Sequence, residues 1–272
     1  MFQYIRELEG IRNDDIVRSI DPKKNRFQIF KANSGAKHTE GGKSGSFFFF
    51  TQDKRYIIKS MKPSEKKKLL GMLPDMIDFL RSRPRGSLLS KIYGMYQVKI
   101  KGMKGIDLCL QRNCLDISPT NELLNCFDLK GSTFKRQAID FEEIPLANNE
   151  VTTQMNESEL PLQSALDHID TDFQDKLSQI NEPLKDLDFV FLKKKYPRIY
   201  ALKLSDDHRN QITQNLYHDS LFLRKNNLMD YSLLLGIEKI DESTQNYGSR
   251  SIYKYPSVCG RYIYHISIID FL

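Results

Sequence analysis

The chain has 272 residues, 40% of them hydrophobic and 28% charged, with a formal net charge of +6, a length and balance that suit one large domain or two lobes with a sizeable core. Its longest apolar runs, Phe47 to Phe50 and Leu233 to Leu235 with their neighbours, fall far short of the roughly 20 residues that span a bilayer, and Arg6, Glu7 and Glu9 stand where a secretion signal needs an apolar stretch. No membrane helix and a cytosolic location are expected, and Cys109, Cys114, Cys126 and Cys259, without CxxC pairing, read as reduced structural thiols rather than a zinc site.

In chain order, residues 1 to 136 read as helix, strands, helix, strands. Phe47 to Phe50 and Arg55 to Met61 are aromatic or β-branched runs separated by Thr-Gln-Asp-Lys, which predicts a β-hairpin. Pro-Ser-Glu at 63 to 65 opens a helix with Leu69, Leu70, Leu73, Met76, Ile77 and Leu80 on one side and an expected kink near Pro74. Ile92 to Ile100 and Ile106 to Leu110 form a second predicted hairpin. From about 141 to 183 the composition turns polar and acidic with few aromatics, a stretch too poor in apolar surface to offset the entropy of ordering, and it reads as a partly disordered insertion. Asp206-Asp207 is the expected cap of a helix from His208 to about Lys225, ended by Asn226-Asn227. Tyr231 to Ile237 and Tyr262 to Ile269 are strand-like.

The charge is uneven. Between Gln137 and Val190, 13 acidic residues stand against Lys176 and Lys185, a local net of −11 that leaves +17 on the remainder. Lysine runs such as Lys66 to Lys68 and Lys193 to Lys195 suit an anionic lipid surface or nucleic acid, or equally a solvated face.

Three stretches carry chemistry. Gly41-Gly42-Lys43-Ser44-Gly45-Ser46 precedes the first hairpin; glycines let backbone N–H groups approach phosphate. A Walker loop is excluded because Lys37 stands where its first glycine belongs and because strands follow where a helix should. A kinase-type glycine-rich hairpin fits, with Lys59 on its second strand to neutralise phosphates and Glu65 in the next helix to hold that lysine. The plain alternatives are an ordinary turn and a snorkelling lysine. Phe127 to Arg136, FDLKGSTFKR, concentrates three cations and two hydroxyls around a glycine, enough to hold a phosphorylated head group, or simply an exposed basic turn. Asp230 in MDYSLL and Asp270 in IID are lone carboxylates beside apolar runs. Phosphoryl transfer needs one carboxylate near the attacking hydroxyl and another on magnesium, although either residue could be a turn cap.

Taken together, GKSGSFFFF, YIIKSM, FDLKGSTFKR, LKDLDF, LMDYSLLLG and SIIDFL, in this order and with the opening FQYIRELEGI, resemble the phosphatidylinositol phosphate kinase family over nearly the whole chain. The resemblance implies an α+β, two-lobed protein-kinase-like fold with a largely antiparallel sheet, residues 1–112 forming the N-terminal lobe and 113–272 beginning the C-terminal lobe. It implies a lipid kinase that uses ATP and Mg2+ to convert phosphatidylinositol 4-phosphate to the 4,5-bisphosphate at the cytosolic face of an anionic membrane. A second copy of the chain is among the expected partners; nucleic acid is not. By the same resemblance Gly42, Gly45 and Ser46 cover the ATP phosphates and Lys59 binds them. Asp230 takes the place of the catalytic-loop aspartate, Asp270 that of the magnesium ligand, and Lys130 and Arg136 reach the phosphate already on the ring. Leu110 to Asn113 falls at the adenine hinge, with Gln111 where relatives commonly carry an apolar residue.

STFKR resembles kinases acting at the 5-position of phosphatidylinositol 4-phosphate, while the Phe before DLKGS also resembles the 3-phosphate 5-kinases that carry FYVE domains, so the lipid stays open. The long acidic insertion departs from the family. So does the end of the chain two residues after Asp270, where relatives continue into the activation loop, and on that account these 272 residues are expected to bind ATP and magnesium but to transfer little or no phosphate unless the downstream segment is restored. An inactive phosphoinositide-binding scaffold is the second reading. A protein kinase comes third, because His-Arg-Asp and Asp-Phe-Gly are absent, and a nucleic-acid binder last.

Overall fold

The computed structural model describes residues 1–25, 48–83, 86–99, 101–102, 105–139, 177, 180, 182–241 and 253–272. The chain divides into two compact units, Met1–Leu124 with Leu202–Leu272, and Asn125–Ala201. It mixes helices with antiparallel strands, the α+β composition expected.

The first unit opens with α1 (Phe2–Leu8) and α2 (Asn13–Ile20). Ile5 of α1 is fully buried and Arg6 Nη1 donates to the Tyr93 carbonyl at 2.5 Å, so the helix is held by both an apolar and a polar anchor. The predicted first hairpin forms as β1 (Phe48–Phe50) and β2 (Tyr56–Met61), antiparallel with Phe48 opposite Lys59. The turn is fastened by the Thr51 hydroxyl, which binds Asp53 and accepts the Tyr56 N–H.

Helix α3 (Pro63–Arg81) starts at the predicted Pro-Ser-Glu and continues through Pro74. Pro63 stands at the first helical position, where no N–H is needed, and Glu65 accepts the Lys62 N–H at 2.8 Å. Leu69, Met72, Leu73, Met76 and Leu80 form its buried stripe.

Strands β3 (Ile92–Val98) and β4 (Ile106–Arg112) form the second hairpin, with β4 two residues longer than predicted. The first sheet has the order β1-β2-β4-β3, so β2 lies between two neighbours and Lys59 stands opposite Cys109. Tyr56 and Tyr93, both buried, meet edge-to-face with centroids 5.8 Å apart beneath it.

Helices α4 (Asp186–Lys195) and α5 (Pro197–Tyr200) belong to the second unit, and after Leu202 the first unit resumes with α6 (Asp206–Lys225). The cap of α6 is Ser205 rather than Asp206-Asp207: Ser205 has extended backbone and its Oγ accepts the His208 N–H at 3.2 Å. The two aspartates fall instead in the first turn, where they complement the helix dipole. Asn227, in the left-handed region at φ +51°, turns the chain away from the helix end as expected. Phe79 of α3 stacks on Phe222 of α6 at 4.6 Å.

The second sheet has the order β5-β6-β8-β7, from β5 (Glu122–Leu129), β6 (Ser232–Lys239), β7 (Lys254–Pro256) and β8 (Tyr262–Ile269); β5 leaves the first unit after Leu124. Within it β6 and β8 pair over their full eight residues, from Ser232 opposite Ile269 to Lys239 opposite Tyr262.

In the second unit Phe127, fully buried, meets Phe189 and Tyr200 edge-to-face at 5.1 and 6.1 Å. Most of the expected acidic insertion, 141–183, lies outside the described residues.

Candidate functional site

A cleft opens in the first unit, lined by Lys59, Glu65, Cys109, Gln111, Asp270 and Phe271 among others. Lys59 reaches it from the middle of β2 and Asp270 from the residue after β8, two positions 211 apart in sequence. Their charged atoms, Lys59 Nζ and Asp270 Oδ1, stand 3.1 Å apart. The Lys59 side chain is 14% exposed and that of Asp270 47%, so one partner is held by the sheet while the other faces water. Lys59 Nζ also lies 5.2 Å from the centre of the Phe48 ring, which orients the ammonium along the hairpin.

Glu65 lines the same cleft, but its carboxylate accepts the Lys62 N–H as part of the helix cap, and the ion pair of Lys59 runs to Asp270. Cys109, next to Lys59 on β4, is no nucleophile. Burial pushes its thiol up to about 11 despite the opposing pull of Lys59, so it stays protonated at neutral pH.

Asp230 is exposed and stands two residues before Ser232, while Asp270 stands one residue after Ile269; since Ser232 and Ile269 are partners, both aspartates emerge from the same end of the β6–β8 ladder. Each has left-handed backbone, φ +63° for Asp230 and +54° for Asp270. Non-glycine residues carry that strain at a cost of about 1–3 kcal/mol, and they concentrate where a side chain must be aimed. Phe271, buried, anchors the turn behind Asp270.

The Lys130 to Arg136 loop belongs to the second unit. Asp186, at the start of α4, accepts the Lys130 N–H at 3.0 Å, the Gly131 N–H at 2.8 Å and Arg136 Nε at 2.8 Å. Arg136 also donates through Nη2 to the Asp128 carboxylate at 2.8 Å and to its backbone carbonyl. Gly131 has φ +66°, which a side chain would strain. Burial alone would raise the Asp186 carboxyl, but Arg136 and the two backbone N–H groups outweigh it and the pKa falls below its ordinary value. Asp188, fully buried, accepts from the backbone N–H groups of Ala138, Ile139 and Lys185. Sequence reasoning missed both roles. The signal was present, in the two alternate aspartates that open α4 in LKDLDF.

The expected phosphate-covering residues Gly42, Gly45 and Ser46 lie outside the described residues. Of the lysine runs, Lys66 pairs with Asp107 at 2.7 Å, while Lys195 lies over the rings of Phe191 and Tyr196. Among the described residues no helix is long and apolar enough to cross a membrane, and no group of three or more His, Cys, Asp or Glu side chains gathers to hold a metal.

The family model described as Phosphatidylinositol-4-phosphate 5-Kinase matches residues 30–257, a span that takes in Lys59, Lys130, Arg136 and Asp230 and stops short of Asp270. Phosphatidylinositol 4-phosphate 5-kinase type-1 alpha of Homo sapiens is 33% identical over 242 residues, 89% of this chain and 34% of that protein. The type-1 beta protein of Mus musculus is 32% identical over 245 residues, 90% of this chain and 36% of the relative. Phosphatidylinositol 4-phosphate 5-kinase 5 of Arabidopsis thaliana is 32% identical over 72% of this chain. The chain thus spans about a third of the length of the human and mouse relatives it matches. By the extent of these matches, the chain belongs to the phosphatidylinositol-4-phosphate 5-kinase family.

Proposed function

We propose that the chain carries the phosphoryl-transfer site of a lipid kinase that moves the γ-phosphate of ATP to phosphatidylinositol 4-phosphate, giving the 4,5-bisphosphate. The observation that carries this reading is the Lys59–Asp270 pair, 3.1 Å across in the cleft of the first unit. The names of the relatives supply the lipid.

In this reading the first sheet and the second provide the two sides of a protein-kinase-like cleft, with residues 1–112 as the N-terminal lobe, 113–272 as the start of the other, and 141–183 as an insertion. Lys59 leaves Asp270 to neutralise the α- and β-phosphates of ATP. An ion pair with one partner half in water is worth about 1 kcal/mol or less, so the exchange costs little.

Asp270, freed, faces the phosphates as a magnesium ligand. Magnesium suits a site of one or two carboxylates completed by substrate phosphates and water, which the exposed, aimed carboxylate of Asp270 fits. Magnesium held there would supply charge neutralisation for the transferring phosphate. Asp230 orients the attacking ring hydroxyl and accepts its proton. Gly42, Gly45 and Ser46 close over the triphosphate, and Glu65 borders it. Lys130 holds the phosphate already on the lipid, in a loop whose shape Arg136 maintains with Asp128 and Asp186. The basic body of +17 draws the protein to the anionic cytosolic leaflet as a peripheral protein.

The test is transfer of label from γ-labelled ATP to vesicles carrying phosphatidylinositol 4-phosphate, with magnesium and with a chelator. Label in the bisphosphate that disappears with the chelator is the expected result. ATP binding with no transfer to any phosphoinositide would favour the scaffold reading instead.

A further inference from the structure

The residues between α3 and β3 do more than connect. Ser90 N–H donates to the Ile268 carbonyl at 2.8 Å and Ile268 N–H donates back to the Leu88 carbonyl at 2.7 Å, a parallel bridge two residues before Asp270. On the other side Arg112 N–H donates to the Lys91 carbonyl at 2.9 Å, and Ile92 continues into β3 opposite Gln111. Four residues, Leu88 to Lys91, therefore hydrogen-bond both the sheet that carries Lys59 and the strand that delivers Asp270.

This strap is pinned by a buried cation. Lys91 is 4% exposed, and its ammonium donates to the Ser87 and Leu89 carbonyls at 2.9 Å each and to Tyr253 Oη at 3.3 Å. Tyr253 donates its own hydroxyl proton to the Leu89 carbonyl at 2.8 Å, and the ammonium lies 5.5 Å from its ring centre. Two carbonyls that face inward are satisfied this way, and the bend they impose presents the Leu88 carbonyl and the Ser90 N–H to Ile268. Burying a lysine is costly unless its hydrogen bonds are complete. Burial lowers the Lys91 pKa here, with Glu9 and Asp219 opposing it. Its three hydrogen bonds, two of them to strap carbonyls that an apolar residue would leave without this donor, offset that cost.

We propose that Lys91, with Tyr253, is a positioning residue for phosphoryl transfer: it shapes the strap that fixes where Asp270 stands relative to Lys59. The proposal rests on the reading of Asp270 as the magnesium ligand. Neither Lys91 nor Tyr253 lines the cleft, so their effect passes through the backbone of Leu88, Ser90 and Ile268.

The test uses the whole chain with Lys91→Met, Tyr253→Phe and Asp270→Asn. Hydrogen exchange of the ligand-free protein, read over 266–270 and over 232–237, is paired with calorimetry of ATP binding in magnesium and in chelator. In Lys91→Met the Ile268 amide should exchange on the order of tenfold faster while Leu234 to Ile237 stays protected. ATP affinity in magnesium should fall on the order of tenfold, with affinity in chelator changed less than about twofold. Tyr253→Phe should show the same pattern at smaller size, and it carries the test if Lys91→Met does not fold. Unchanged exchange and unchanged magnesium dependence overturn the proposal, as does an equal loss of affinity with and without magnesium, which marks general destabilisation. Loss of magnesium dependence in Asp270→Asn but not in the strap variants overturns the strap alone. Its retention in Asp270→Asn overturns the metal role of Asp270, and the positioning role with it.

Discussion

Two cations, Lys59 in the cleft of the first unit and Arg136 in the loop of the second, meet carboxylates in different ways. Among the described residues Lys59 makes one ion pair, at 3.1 Å, to a carboxylate that is 47% exposed, and it lines the cleft. Arg136 has two carboxylates, Asp128 and Asp186, each at 2.8 Å, and a side chain as well covered as the Asp186 it binds. The first arrangement can exchange a carboxylate for a phosphate at little cost. In the second, three loop contacts converge on Asp186, and removing the arginine would leave that carboxylate under-satisfied. Positive charge in a family motif can thus meet one half-exposed carboxylate or be shared between two within its own loop.

The strongest way to break this comparison is to neutralise the cleft. Lys59→Met or Asp270→Asn should lower phosphate transfer by about 10²-fold or more, while the melting temperature moves by less than about 3 °C, because a half-exposed pair adds little stability. A large fall in melting temperature with transfer preserved would reverse the assignment. The second unit should answer the opposite way. Asp186→Ala should cost about 2 kcal/mol in denaturant unfolding, since it strips charge-assisted bonds from one arginine and two backbone N–H groups.

Acid sharpens the same contrast. The folded pKa of Asp186 lies below its unfolded value, so its stabilisation is complete above the ordinary carboxylate range and is lost as pH falls through the lowered folded pKa. Melting temperatures of wild type and Asp186→Asn, measured from pH 7 to 3, should differ most near neutrality and begin to converge only below about pH 4. The smallest effect is expected from Arg136→Lys, which keeps the charge but cannot bridge Asp128 and Asp186 with one rigid fork. About 1 kcal/mol should be lost by the same unfolding measurement.

Much of the fold was legible from local pattern. The two hairpins of the first sheet, the start of α3 at Pro63, the end of α6 at Asn226-Asn227, and strands β6 and β8 all follow from periodicity and turn chemistry within a few residues. Where the reading slipped, the contest was local too: Ser205 took the cap from Asp206 because its hydroxyl had the extended backbone that reaches the His208 N–H. Helices α4 and α5 went unread because they follow directly on a polar stretch and are short.

The sequence by itself determined that Lys59 lies on the second strand of the first hairpin, that Asp230 and Asp270 each sit beside an apolar run, and that a basic glycine turn follows Phe127, because a side chain's place along a strand or turn depends on its neighbours in the chain. Only the tertiary structure decided that Lys59 pairs with Asp270 while Glu65 caps its own helix, that Asp186 gathers the Lys130 to Arg136 loop, and that Lys91 is buried against three oxygens. These are contacts between residues far apart in sequence, such as the 211 positions from Lys59 to Asp270. No short-range pattern encodes them: which charge a lysine meets is settled when sheets and helices pack and each buried polar group must find a partner among those brought within reach.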